Sequence, residues 1–177
     1  TPKIQLIVSS ILLLGYWALM TLVPAPGFAV TNLEKGTNLA TWVDQMVLSG
    51  HVWEATKTWD PEGILSTIPA IVTGLLGLQI GQLLNMDISK KSKAQKMLSI
   101  GALLLLLGWF WNFVFPINKA LWTSSYVLYT AGLATLILTI LCYCIDLLNF
   151  KKGITLFLVW GVNPMIVFFL SQIIPQA

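Results

Sequence analysis

Five apolar runs in this sequence are each about 20 residues long, at 4–23, 64–84, 97–115, 122–145 and 154–174. A helix rises about 1.5 Å per residue and the hydrocarbon core of a bilayer is about 30 Å thick, so a run of that length spans it. A soluble chain of 177 residues could build a core, but not one that hides five such runs. Only 10% of the residues are charged, against about 25% in ordinary soluble domains. The fold class read from this is an all-α integral membrane protein. It has about five transmembrane helices in one bundle over 1–177 and a long extracytoplasmic loop, 24–62, that carries a short amphipathic helix. The lipid bilayer is the first partner implied.

The few charges sort by side. There is no Arg; every cation is a Lys. If the spans alternate, Lys3, Lys90, Lys91, Lys93, Lys96, Lys151 and Lys152 fall on one side, and Lys35, Lys57 and Lys119 on the other. The lysine-rich side is expected to be cytoplasmic, with the Lys90–Lys96 segment read as a short turn. The opposite side holds Glu34, Asp44, Glu54, Asp60 and Glu62. Trp109, Trp111, Phe113, Phe115 and Trp122 crowd that end as an interfacial belt. A net charge of +3 without a basic face excludes nucleic acid as a partner. Cys142 and Cys144 lie two apart in an apolar run, where helical side chains diverge, so neither a disulfide nor a metal site is expected. The chain opens Thr1-Pro2-Lys3 without the pattern of a signal peptide, and it reads as part of a longer protein.

In the long loop, Leu39, Trp42, Val43, Met46 and Val47 recur at helical spacing, with Asn38 placed to cap and Gly50 to terminate. The spacing predicts a helix on the membrane surface or a lid over a site. Asp60-Pro61-Glu62-Gly63 reads as the start of the second span: Asp caps, Pro occupies the first turn and Glu complements the dipole. The same two carboxylates, Asp60 and Glu62, suit a cationic or hydroxylated ligand. Pro69 is expected to kink that span. Gly77 and Gly81 form a GxxxG pair, read first as a close helix contact compatible with a homo-oligomer, and second as room for a ligand chain. The turn 116–126 offers Asn118, Lys119, Ser124 and Ser125. Asn163, beside Pro164 in the fifth run, must pair or face a cavity; Asn112 carries the same argument more weakly. His51 is a lone loop histidine with no partner set for catalysis.

The ordered blocks Leu39-Ala40-Thr41-Trp42-Val43-Asp44, Asp60-Pro61-Glu62-Gly63-Ile64-Leu65-Ser66-Thr67-Ile68, Gly77-Leu78-Gln79-Ile80-Gly81, Phe115 to Val127 and Gly161-Val162-Asn163-Pro164 cover most of the chain. Together they resemble the C-terminal portion of the heparan-α-glucosaminide N-acetyltransferase family and its bacterial relatives. The resemblance implies a transmembrane N-acetyltransferase that moves an acetyl group from cytosolic acetyl-CoA to a glucosamine-type amino sugar on the far side. It implies a catalytic histidine in a segment upstream of these residues, so no catalytic residue is assigned here and His51 is not promoted to that role. Asp60, Glu62, Asn118, Lys119, Ser124, Ser125 and Asn163 are the candidates for lining the substrate or acyl donor. A sugar transporter or permease subunit, and a non-catalytic membrane scaffold, are the alternatives.

Overall fold

The computed structural model describes residues 1–48, 50–53, 56–60, 62–150 and 154–173, the last segment without the side chains of 156, 157, 160, 167, 172 and 173. Glu54, Pro61, Lys151 and Lys152 lie outside the described residues, as does the end of the fifth run. The regular elements among the described residues are all helices, in the order α1 (Pro2–Leu22), α2 (Leu39–Val47), α3 (Thr67–Leu84), α4 (Lys90–Trp111), α5 (Ser124–Cys142), α6 (Ile154–Val162) and α7 (Pro164–Ile173), and α5 continues into a π-helical turn, Tyr143–Leu147. Four of these helices, α1, α3, α4 and α5 with its π turn, are long and apolar enough to cross a membrane. The chain is an integral membrane protein.

Residues 154–173 form two short helices in place of one continuous fifth span. Pro164 has no N–H to give, and it disfavours helical backbone at the residue before it, so the helix breaks at Asn163. The Asn163 amide donates to the Val159 carbonyl, 3.0 Å, and so satisfies itself within α6.

α3 and α5 form the centre: α3 packs on α1, α4 and α5, while α4 lies along α5 over its length. The core has three layers. Tyr16, Met20, Leu39, Phe115 and Leu121 fill one end. Leu13, Val72, Leu76, Val127 and Leu128 fill the middle. Ile80, Leu83 and Met97 fill the other end. Phe115 is therefore core rather than interfacial belt, whereas Phe113 and Trp109 remain exposed.

Several expected boundaries move for local reasons. Lys90–Lys96 is not a turn but the first two turns of α4. Ser89 caps it, its hydroxyl accepting from Ser92 N–H at 3.2 Å, and Lys, Ala and Gln are good helix formers. α4 ends at Trp111 because the next residues fold into a separate turn, in which Asn112 Oδ1 accepts the Ile117 N–H at 2.8 Å. α3 starts at Thr67, so Pro69 falls in its first turn, where no N–H is missed and no kink results.

The glycines that bring helices together are not the GxxxG pair. A Cβ on Gly108 would sit 2.8 Å from the Tyr129 Cα, and one on Gly132 would sit 2.7 Å from the Leu105 Cα. These two glycines let the α4 and α5 backbones touch. A Cβ on Gly77 or Gly81 would meet nothing within 4 Å. We expect Gly108→Ala and Gly132→Ala to destabilise the detergent-solubilised protein by about 1–3 kcal/mol each through overpacking. Gly77→Ala and Gly81→Ala should leave the thermal midpoint unchanged or raise it. Thermal unfolding followed by tryptophan fluorescence separates the two pairs, and equal losses in both would contradict this packing.

Candidate functional site: a polar cleft above an intramembrane groove

The segment between α1 and α3 is built on asparagine and aspartate turns. Asn38 is buried; its Oδ1 accepts the Thr41 N–H, 2.9 Å, and its amide donates to the Glu34 carbonyl, 2.7 Å. α2 therefore forms as expected, but it buries a different face. Leu39, Ala40, Thr41 and Asp44 point inward, while Met46 and Val47 of the apolar stripe are 65% and 64% exposed. The inward face is chosen because it carries Asp44, which is only 2% exposed.

Asp44 organises the turn that leads into α3. Its Oδ1 accepts the Ile64 N–H at 2.9 Å. Gly63 lies flat against the carboxylate, where any Cβ would come within 2.8 Å of the carboxyl carbon. From the same helix, Gln45 donates to the Thr58 carbonyl at 2.9 Å. Two straps from α2 thus hold the 58–64 segment. Asp60 was expected to cap the second span. It instead accepts the N–H groups of Trp53, 3.1 Å, and Glu62, 2.8 Å, because the chain is already turning at Gly63 and Asp44 has taken the amide at Ile64. Burial pushes the Asp44 carboxyl above its ordinary range and the nearby Asp60 charge adds to this, while the backbone N–H groups of Ile64 and Asp60 pull the other way.

The other wall is the turn 112–123. Asn118 Oδ1 accepts from Ala120 N–H at 2.9 Å, and Thr123 Oγ1 accepts from Asn118 N–H at 3.0 Å and donates to the Pro116 carbonyl at 2.9 Å. This network holds Trp122 in left-handed backbone, φ 51°, a conformation that costs a bulky residue of order 1–3 kcal/mol. Strain of that size survives only where the surroundings over-determine it. Here it turns the indole onto Tyr126, with ring centroids 5.1 Å apart, and aims its N–H at Thr73 Oγ1, 3.1 Å, in α3.

Between the two walls opens a cleft of about 610 Å³, lined by Lys35, Trp59, Glu62, Asn118, Lys119 and Trp122 among others. The Lys35 ammonium sits 5.0 Å above the Trp59 ring. Three of the candidates, Glu62, Asn118 and Lys119, meet there. The other four do not line it. Asp60 ties down the loop. Ser124 is buried and donates to the Leu13 carbonyl of α1 at 2.8 Å. Ser125 is buried and bonded to the Thr123 hydroxyl at 3.1 Å. Asn163 is exposed in the α6–α7 pair. Asp44, Trp59 and Trp122 were not among the candidates. Asp44 was masked because the apolar stripe, which shares Leu39 with the buried face, is centred to one side of it.

Below Trp122 a second space, a groove of about 440 Å³, runs between α3 and α5 from Thr73 past Gly77 and Gly81 to Leu84. Eleven steps along the helix give it a length of about 16 Å. Among the described residues the bare glycine face meets no helix and borders this groove. Thr73 belongs to the groove and also receives the Trp122 indole N–H, so the cleft and the groove meet at that hydrogen bond.

No protein-family model matches the chain. It is 28% identical to human heparan-α-glucosaminide N-acetyltransferase over 87% of its length, and 32% identical to the mouse protein over 73%. The chain is a distant relative of heparan-α-glucosaminide N-acetyltransferase. It spans less than a third of these curated relatives, 28% of the human and 22% of the mouse N-acetyltransferase.

Asp44 also makes a stability prediction. A carboxyl whose folded pKa is raised binds its proton more tightly folded than unfolded. Stability is therefore greatest at low pH and falls as pH rises from the ordinary value of about 3.8 through the raised one. Asp44→Asn keeps an acceptor for Ile64 without the buried charge. We expect it to match or exceed the wild type in thermal stability at pH 7 and to lose that part of the pH dependence, whereas Asp44→Ala is less stable at every pH. Melting curves between pH 4 and 8 in detergent check both.

Proposed function

We propose that this chain forms part of a larger multi-span membrane acetyltransferase that carries an acetyl group from acetyl-CoA to the amine of a glucosamine-type sugar. The observation that carries the reading, beside the relationship to an N-acetyltransferase, is the junction at Trp122, where a polar cleft meets an apolar groove of helix length. The cleft offers what an amino sugar needs. The Glu62 carboxylate suits the ammonium, Asn118 and Lys119 suit hydroxyls, and the Trp59 and Trp122 faces suit the ring. The groove beside Gly77 and Gly81 suits the thin pantetheine arm of the acyl donor, so the charged nucleotide end need not enter the membrane.

The reaction requires a neutral amine, because only its lone pair attacks. The amine adds to the thioester carbonyl, the C–S bond breaks, and coenzyme A leaves as the thiol with the proton the amine gives up. No described residue is assigned as the base; a histidine upstream of these segments is the proposed one. The Lys90–Lys96 and Lys151–Lys152 segments are proposed to face the cytoplasm, with the cleft on the opposite side, following the positive-inside rule. A bacterial inner membrane is the setting this suits.

The test uses the full-length protein in detergent with acetyl-CoA and glucosamine, measuring thiol release and N-acetylglucosamine together. Glu62→Gln removes a charge-assisted contact of about 1.5–3 kcal/mol. It should raise the acceptor KM about ten- to a hundredfold and leave the acetyl-CoA KM unchanged. Gly81→Leu fills the groove and should do the reverse. A wild-type protein that releases no thiol and forms no acetylated sugar would sink the proposal.

A further inference from the structure

At the end of the bundle opposite the cleft, α4 begins against the usual electrostatic rule. A helix N-terminus carries partial positive charge and favours acids. Here the first two turns hold Lys90, Lys91, Lys93 and Lys96, and the first turn has no acid. Two of these cations have protein partners. Lys90 pairs with Asp146 at 3.4 Å, both of them exposed, and Lys93 donates to the Leu84 carbonyl at 2.6 Å, closing the end of α3. Asp87, in the turn before α4, is the other acid at this end.

Lys91 stands at the head of a groove of about 300 Å³. One wall is the α4 stripe Lys91, Ala94, Gln95 and Leu98, spaced i, i+3, i+4 and i+7. The other wall is the last turns of α5 and the π turn, including Ile140 and Tyr143. The stripe from Lys91 to Leu98 runs about 10 Å along the helix. Leu98 and Ile140 are exposed on helices that span the membrane, so the groove opens toward lipid. A site with one cationic end, a helix N-terminus behind it and an apolar channel leading away matches an amphiphile with an anionic head. A soluble anion would use the head of the site and leave the channel empty.

We propose that this groove binds one anionic phospholipid, with its phosphate at Lys91 and the first turn of α4 and one acyl chain lying between Leu98 and Ile140. The lipid neutralises Lys91, which has no ion pair among the described residues. It also wedges α4 against the π turn of α5.

Native mass spectrometry of the intact protein tests this, with phosphatidylglycerol and phosphatidylcholine of identical chains added from mixed micelles. The wild type should retain phosphatidylglycerol about fivefold better, the share of one lysine–headgroup attraction. Lys91→Gln should reduce that preference to parity with an unchanged melting temperature. Lys96→Gln, about 140° further round α4, should keep it. Ile140→Trp, at an exposed position, should block the channel and lower retention of both lipids. Equal retention of the two lipids by the wild type, or equal effects of the two lysine substitutions, would overturn the proposal. Displacement of phosphatidylglycerol by inorganic phosphate as effective as displacement by the lipid itself would assign the head to a soluble anion and overturn it as well.

Discussion

In a bilayer an apolar side chain gains little by leaving lipid for protein, so helices must be held together by close contact and by hydrogen bonds between them. This constraint shapes the bundle. The α4–α5 contact is close because Gly108 and Gly132 let the backbones meet. α1 has no comparable glycine seam and is held by polar bonds instead. Tyr16 donates to the Leu121 carbonyl at 2.6 Å, and Ser124 donates to the Leu13 carbonyl at 2.8 Å. One bond reaches the segment that joins α4 to α5 and the other the first residue of α5, so α1 is tied to both. Thr130, Thr135 and Thr139 of α5 return their hydroxyls to carbonyls three or four residues back, so these hydroxyls are satisfied within the helix.

The same accounting divides the polar residues at the cleft end into two groups. Asn38, Asp44, Asp60, Asn112, Asn118 and Thr123 have their acceptors engaged by backbone amides or carry the turns. They make a long irregular connection rigid without a sheet or a disulfide. Glu62, Lys119 and the tryptophan faces stand on that frame and open into the cleft. Asn118 belongs to both groups, since its carbonyl oxygen is committed to the turn while the residue also lines the opening.

Helix existence was legible in the sequence because length and apolar run suffice for it; helix contact was not. The spans at α1, α3, α4 and α5 fall where the apolar runs lie, and Asn38 caps α2 as its position suggested. The contacts depend on which face turns inward, and that is decided by partners distant in sequence. Gly77 and Gly81 carry the familiar spacing yet border open space, while Gly108 and Gly132, in different helices, form no local motif at all. Ser124 and Ser125 read as part of a polar mouth because they follow Asn118 and Lys119, but the first turn of α5 rotates them into the bundle. In α2 the buried face is rotated from the apolar stripe: Leu39 and Trp42 pack on the core as the stripe suggested, but Asp44, with its backbone donor at Ile64, turns inward and leaves Met46 and Val47 exposed. Periodicity measures segregation around one helix and is blind to a hydrogen bond twenty residues away.

Trp122 shows how the frame and the opening depend on each other. A bulky residue stays in left-handed backbone only if its alternatives are worse. Here Asn118 and Thr123 close the turn on either side of it, and Thr73 receives its indole N–H. A relaxed backbone at Trp122 would swing the indole away from Thr73 and break the link between the turn and α3. The residue therefore lines the cleft and is tied by its indole N–H to Thr73, which lines the groove along Gly77 and Gly81. The wall is thin, a single indole, and it rests on a hydroxyl that also bonds back to the Pro69 carbonyl at 3.5 Å. The opposite side of the cleft is fixed by α2, through Asp44 at Ile64 and Gln45 at Thr58, so the distance between Glu62 and Trp122 is set by two independent frames. Each wall of the cleft is thus held by its own hydrogen bonds, one set from α2 and one within the turn before α5.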